Sequence, residues 1–434
     1  MRGGGRSNGA IRAMLSVSHY ARRAANWPAF ILCAFALALS VVCEAGEPQA
    51  VSAKSGILMD AATGKVLYTK AARKRAPMAS TTKIMTAMVV VENSRATDEV
   101  VVSESALKTK YASLWVEAGQ TMRMEDILKA MLVNSSNDAC VAASEAIFGS
   151  EQAMVAKMNE KAGELGARDT HFVNTHGLHD PDHYSTAYDL VIITREALKN
   201  PTIRKLVATK KVVIPWPGKP WGRVLQNRNK LLWLLPGADG VKTGFVKESG
   251  KCLVASATRG GWRLLAVVLD SEDCWKDAAS LLEHGFREYR RVRAARAGQI
   301  VHKARVRGGR KRDVALAAVR PVLAVVRRED ARRCRLRFDL SEPLRAPLKK
   351  GERVGMARLY LGKKELASGP LVVKTDVALS WPLTIWLWFK RAAAALAALF
   401  VLALGVRRSV IALRGIRRRG RPSPPSNNGR RREG

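Results

Sequence analysis

The sequence predicts an α+β fold, an antiparallel sheet with a helical insert, followed by a small all-β domain and a C-terminal membrane helix. Three observations predict it. Strand-like alternation near the start of the chain returns at "GVKTGF" (Gly240–Phe245), with helical periodicity between, from Ala79 to about Ala197. Past Arg293 a period of two, punctuated by Gly and Pro, takes over. Near the end, an apolar run precedes a cluster of arginines. With 434 residues, 47% of them hydrophobic, the chain can bury two separate cores.

In chain order, Arg22 and Arg23 precede "FILCAFALALSVV" (Phe30–Val42) and then "CEAG". That order makes residues 1–45 a secretory signal peptide cleaved after Ala45. The stretch before the apolar run is long, and Met14 is an alternative start. Lipid attachment at Cys43 is disfavoured by the bulky Val41 and Val42. A catalytic domain is expected over 46–293. Within it "SGILMDAATGKVLYTK" reads as a hairpin, "MEDILKAMLV" and "DACVAASEAIFG" as helices. "GVKTGF", "KCLVASATRG" and "RLLAVVLD" read as strands, and "DAASLLEHGFREY" as a closing helix. The sheet then joins the first and last strands of this region. Residues 294–378 form the β-rich domain, since "QIVHKARVRG", "DVALAAVRP" and "RCRLRFDL" alternate residue by residue.

Residues 379–406 read as a membrane anchor and 407–434 as a basic cytoplasmic tail. The charge-free run Ala392–Val406 reaches only ~22 Å, short of a ~30 Å hydrocarbon core. Lys390 and Arg391 must therefore snorkel, or the tryptophan-rich "WPLTIWLWFK" lies in the interface. A helix lying on the surface is the alternative.

The 74 Lys+Arg against 37 Asp+Glu give a formal net charge of +37. The basic residues are dispersed until the tail, and no zinc-finger or RNP pattern accompanies them. The charge reads as attraction to anionic wall polymers or lipid headgroups, with no nucleic-acid partner. Of six cysteines, Cys33 and Cys43 fall in the signal segment. Cys140, Cys252, Cys274 and Cys334 form no C-x-x-C pair, and buried free thiols are expected rather than a disulfide.

Three short stretches carry chemistry. "ASTTKIMTAMVV" places Ser80 and Lys83 three apart at the head of an apolar helix. They share one helix face, and burial there lowers a lysine pKa toward neutrality, pairing a general base with a nucleophile. "NSSND" sets Ser135 and Asn137 two apart in a non-helical turn. "GVKTGF" offers the Lys242 charge, the Thr243 hydroxyl and, at Gly244, close backbone approach along a strand. Alone, each has a plain reading: a capping serine with a snorkelling lysine, an N-cap, and a lysine in a basic chain.

In this order, S-x-x-K, S-x-N and K-T-G are the signature set of the penicillin-recognising serine enzymes. Over about Ser52–Val373 the chain resembles the D-alanyl-D-alanine carboxypeptidases among the low-molecular-mass penicillin-binding proteins. "THFVNTHGLHDPDHYSTAYDL", "NRNKLLW" and "PGADGVKTGF" carry the likeness, and "PLKKGERVGMARLYLGKKELASGPLVV" resembles their β-rich C-terminal domain. The resemblance implies a β-lactamase/transpeptidase-like catalytic fold and no cofactor. It implies a peptidoglycan stem peptide ending in D-Ala-D-Ala as substrate, and β-lactams as covalent inhibitors. By the same likeness Ser80 is the nucleophile and Lys83 its base. Ser135 relays a proton to the leaving amine, and Asn137 orients the substrate amide and Lys83. The backbone N–H groups of Ser80 and Phe245 hold the oxyanion. Lys242 and Thr243 bind the terminal carboxylate with help from Arg228.

Phe245 after K-T-G, and "KESGK" in the following turn, depart from the family pattern and bear on deacylation or substrate preference. "HGLHDPDHYS" gathers His176, His179, Asp180, Asp182 and His183, yet without metal-ligand spacing, so a turn is expected and no metal. "EALKN" (Glu196–Asn200) is expected to end a helix before Pro201. The rival readings are a D,D-endopeptidase or β-lactamase on the same scaffold, and a catalytically silent wall-binding scaffold.

Overall fold

The computed structural model describes residues 51–419 except Pro217 and Glu342, so the signal-peptide reading and most of the basic tail lie outside the described residues. The described chain divides into two compact units, before and after Arg290/Arg291.

The first unit is built on a five-stranded sheet in the order β2-β1-β9-β8-β7, every neighbouring pair antiparallel. Its strands are β1 (Ser55–Asp60), β2 (Val66–Lys70), β7 (Ala238–Val246), β8 (Gly250–Arg259) and β9 (Trp262–Ser271). The predicted hairpin and three later strands are all present, and β9 pairs with β1 to join the two ends of the region. All six residues of β1 are buried. Ile57 and Met59 face the helical core, whereas Leu58 lies under Gly285 on the opposite face. Both sides of the strand are therefore covered, and its apolar run is continuous.

The helical insert contains α1 (Lys83–Asn93), α2 (Asp138–Phe148), α3 (Glu151–Leu165), α4 (Ala187–Ala197) and α5 (Pro201–Ala208). Residues Ile84 to Val90 of α1 are buried without a break, as a helix apolar all round requires. Asn200 ends the reach of α4 by capping α5, accepting from Thr202 N at 2.9 Å and Ile203 N at 3.2 Å, with Pro201 at the first helical position. On the other face lies α6 (Cys274–Glu288). Its Asp277 carboxylate accepts bonds from Ser52 N, Ala53 N and the Ser52 and Ser271 hydroxyls.

Two small ribbons were not legible in the sequence: β3 (Glu99–Val101) with β4 (Thr121–Arg123), and β5 (Lys211–Ile214) with β6 (Arg223–Gln226). Cys140, Cys252 and Cys274 are buried thiols and Cys334 is half-buried, and burial was expected for the first two from their apolar settings.

The second unit is β-rich. Its six-stranded sheet runs β14-β16-β17-β12-β11-β15, from β11 (Ile300–Arg307), β12 (Asp313–Ala318), β14 (Cys334–Leu340), β15 (Leu344–Arg345), β16 (Arg353–Leu361) and β17 (Lys364–Val373). A separate pair joins β10 (Tyr289–Ala295) to β13 (Val322–Arg327). Its own core includes Val306, Leu316, Val354, Leu359 and Leu371. A single helix, α7 (Trp381–Arg419), follows, and its segment Trp381–Val410 is long and apolar enough to cross a membrane.

Candidate active site

Ser80 lies in a 3-10 turn, Ala79–Thr82, one step ahead of α1. The turn is fixed from outside. Val173 N donates to His183 Nδ1 at 3.0 Å, so the imidazole carries its proton on Nε2 and donates to Thr82 Oγ1 at 2.8 Å. Thr82 in turn donates to Ala79 O at 2.7 Å. Burial holds His183 at about 4 and His176 at about 3, so both rings stay neutral. These histidines, which the sequence offered as a metal decoy, are structural supports. Among the described residues no group of three His, Cys, Asp or Glu is arranged to hold a metal.

Lys83 is the largest fully buried side chain of the unit. Its Nζ lies 2.9 Å from Ser80 Oγ and donates to Asn137 Oδ1 and His176 O, both at 2.7 Å. Burial brings its pKa down to about 8. The Arg228 charge acts in the same direction, against Cys140 and Asp138. The two carbonyl oxygens can only accept, so in a neutral amine they take both N–H bonds. The lone pair is then left for the Ser80 hydroxyl. Asn137 is held in the same sense, because its Nδ2 donates to Lys110 O at 2.9 Å. The plain reading of Asn137 as a helix cap fails, since its side chain makes no capping bond to α2.

Ser135 reaches the cleft by a local distortion. The helix before it widens to a π turn over Ala130–Asn134, whose end is closed by Ser135 N–H donating to Ala130 O. Ser135 itself takes the left-handed conformation, φ 69°. Lys242 Nζ donates to Ser135 Oγ at 2.8 Å. That ammonium is buried, and burial together with the Lys83 and Arg228 charges holds its pKa well below the ordinary lysine value. Thr243, half-buried, and Gly244 follow on β7. A Cβ on Gly244 would stand 3.0 Å from Met78 O and 3.1 Å from Ser80 N, so glycine is what lets β7 lie against the Ser80 turn. Phe245 is 69% exposed at the rim. Arg228 is exposed and lines a hollow of about 700 Å³ with Asn134, Trp233 and Leu234.

The structure thus gathers Ser80, Lys83, Ser135, Asn137, Lys242 and Gly244 into one cleft. Sequence reasoning missed the His176 carbonyl, the His183–Thr82 support and the loop carbonyls behind Asn137. Backbone acceptors leave no signature in side-chain spacing.

Comparison with known proteins points to one family. The family model described as D-alanyl-D-alanine carboxypeptidase matches residues 42–273, and that of the penicillin-binding protein 5 C-terminal domain matches 289–379. The chain is 34% identical to the D-alanyl-D-alanine carboxypeptidase DacF of Bacillus subtilis (strain 168), over 75% of this chain and 86% of that one. It is 33% identical to the carboxypeptidase DacC of Escherichia coli (strain K12), over 76% and 86%. Among solved structures, penicillin-binding protein 5 of Haemophilus influenzae superposes with a TM-score of 0.65 at 30% identity, covering 77% of this chain and 99% of that one.

Proposed function

The chain belongs to the D-alanyl-D-alanine carboxypeptidase family, a serine-type, penicillin-binding peptidase family, and from that premise we propose how its residues divide the work. The Ser80 hydroxyl gives its proton to the neutral Lys83 amine and attacks the carbonyl between the two terminal D-alanines of a peptidoglycan stem pentapeptide. The single observation that carries this is the 2.9 Å contact between a buried Lys83 Nζ and Ser80 Oγ. The tetrahedral oxyanion falls to the backbone N–H groups of Ser80 and Phe245, and the close approach of Gly244 to the Ser80 turn supports this.

Collapse expels D-alanine, whose amine takes a proton through Ser135. Water then cleaves the acyl-enzyme. Lys242 and Thr243 hold the substrate carboxylate, with Arg228 supplying positive charge from the rim. A carboxylate entering beside Lys242 offsets the burial that disfavours its charge, so substrate binding favours the ammonium form. β-Lactams acylate the same serine.

The localisation reading is export by the N-terminal signal with anchoring by α7, the catalytic unit lying on the extracytoplasmic side. The domain limits proposed are 46–293 and 294–378. The apolar segment Trp381–Val410 supports the anchor.

Labelling with a fluorescent penicillin, wild type against Ser80→Ala, tests the chemistry. Complete loss of label, with a fall in D-alanine release of at least ~10³-fold, is expected. Persistent D-alanine release from the variant would overturn the assignment. Penicillin turnover followed in parallel separates a β-lactamase from a carboxypeptidase.

A further inference from the structure

The loop over Lys108–Val116 joins the site to the β5–β6 ribbon through one buried arginine. Arg223, the first residue of β6, is 8% exposed. Its guanidinium donates from Nη1 to Leu114 O and from Nη2 to Trp115 O, the latter at 2.9 Å. The Trp216 ring stacks against it, 4.2 Å from the ring centre. The loop it grips is otherwise costly to hold, because Tyr111, Ala112 and Trp115 all take positive φ (61°, 34° and 57°). Tyr111 and Trp115 are also more than three-quarters exposed, so packing does little to fix them.

From the other side the Asp138 carboxylate accepts from Leu114 N and Ser113 Oγ, both at 2.6 Å. The same loop supplies the acceptors that orient Asn137: Ala112 O for its backbone N–H at 2.8 Å, and Lys110 O for its amide at 2.9 Å. Asn137 Oδ1 in turn holds Lys83.

We propose that Arg223 is a positioning residue for the acylating base. Its fork fixes a strained loop whose carbonyls aim the Asn137 amide, and the amide keeps the Lys83 lone pair on Ser80. A fork is required because two successive carbonyls are gripped at once, which an ammonium does less well. The proposal rests on the reading of Lys83 as base, but it assigns a role to a residue that touches neither substrate nor Ser80.

A double-mutant cycle in the full chain tests it, with the acylation rate by a fluorescent penicillin followed from pH 6 to 10. Arg223→Gln is expected to slow acylation roughly tenfold to a hundredfold, the scale set by small misplacements of a reacting group. The acid limb should move to lower pH, because a lost carbonyl acceptor removes a stabiliser of the charged amine. Arg223→Lys should fall between. In an Asn137→Ala background the Arg223→Gln effect should vanish, since both act through one amide.

Additive effects, or a lower rate with an unmoved pH profile, would overturn the proposal and leave Arg223 a merely structural residue. Should Arg223→Gln fail to fold, Arg223→Lys in the same cycle decides by the same criterion. A wild type that shows no acid limb at all would instead overturn the reading of Lys83.

Discussion

At the residue scale the site is defined by how two buried amines share one cleft. Lys83 sits at about 8, mainly through burial and secondarily through the Arg228 charge. In the proposed mechanism the acylating form is the neutral amine, so activity is low where the amine is charged and rises with pH through that value. At pH 7 about a tenth of the enzyme carries a neutral base. The penicillin acylation rate is expected to climb about tenfold between pH 7 and pH 9. Arg228→Ala removes a positive charge that lowers Lys83, so its acid limb should shift upward, opposite in sign to Arg223→Gln. The KM for a D-Ala-D-Ala peptide should rise as well if Arg228 helps bind the carboxylate as proposed. Rate-against-pH profiles of the two variants distinguish the effects. The sequence singled out Ser80, Lys83, Ser135, Asn137 and Lys242, which share one cleft, because their order and local settings reduced the number of readings. It could not disclose why Asn137 points as it does. That orientation comes from Lys110 O and Ala112 O, and acceptors present in every residue carry no compositional mark.

At the scale of elements, glycine decides how closely the walls of the cleft approach. Gly177 has φ +91°, and a Cβ there would lie 2.0 Å from Ala79 O, a backbone atom that cannot turn aside. Gly177→Ala must therefore push the Ser80 turn or the His176 segment out of place. A fall in thermal midpoint with a loss of acylation of at least about tenfold is expected. Gly149 is the control. It has φ +78° with nothing within 4 Å, so Gly149→Ala should cost only ~1 kcal/mol and leave the acylation rate unchanged.

A second element-scale prediction concerns the tie between α6 and the chain start. Burial alone would raise the Asp277 pKa. The Ser271 and Ser52 hydroxyls and the Ser52 and Ala53 N–H groups outweigh it and hold it below the ordinary value. A lowered carboxylate pKa contributes stability above pH ~4 that disappears as pH falls through the folded value. Asp277→Asn should lower the melting temperature at pH 7, with the gap to wild type closing as the pH drops below about 4. The elements carrying long apolar runs, β1, β8 and β9, were readable for the reason they fold: both faces are buried. β3–β4 and β5–β6 were not. Their strands are three or four residues long, and tertiary contacts such as Arg223 with Leu114 O hold them in place.

At the scale of the whole molecule, the apolar run Ala392–Val406 looks too short to span when counted alone. The helix begins earlier, at Trp381, and continues unbroken past Val406, giving ~39 Å of helix before the first arginines of the tail. That exceeds a ~30 Å core, with Trp381, Trp386 and Trp388 at one end and Arg407 and Arg408 at the other. Lys390 is drawn back over the Trp386 ring at 4.0 Å, as a snorkelling cation at an interface would be. A helix lying on a membrane surface needs a polar face along its length, and Ala392–Val406 offers none. The full chain is therefore expected to stay in the membrane pellet through alkaline carbonate washing, which strips surface-bound helices. A chain ending at Leu379 keeps the first unit and the sheets of the second and should leave the pellet. Its hydrolysis of a small D-Ala-D-Ala peptide should stay within about twofold of the full chain, because every group proposed for the chemistry lies in the first unit. Release of the full-length protein by carbonate would place α7 on the surface. A large loss of peptide hydrolysis in the shortened chain would mean that the anchor also shapes the site.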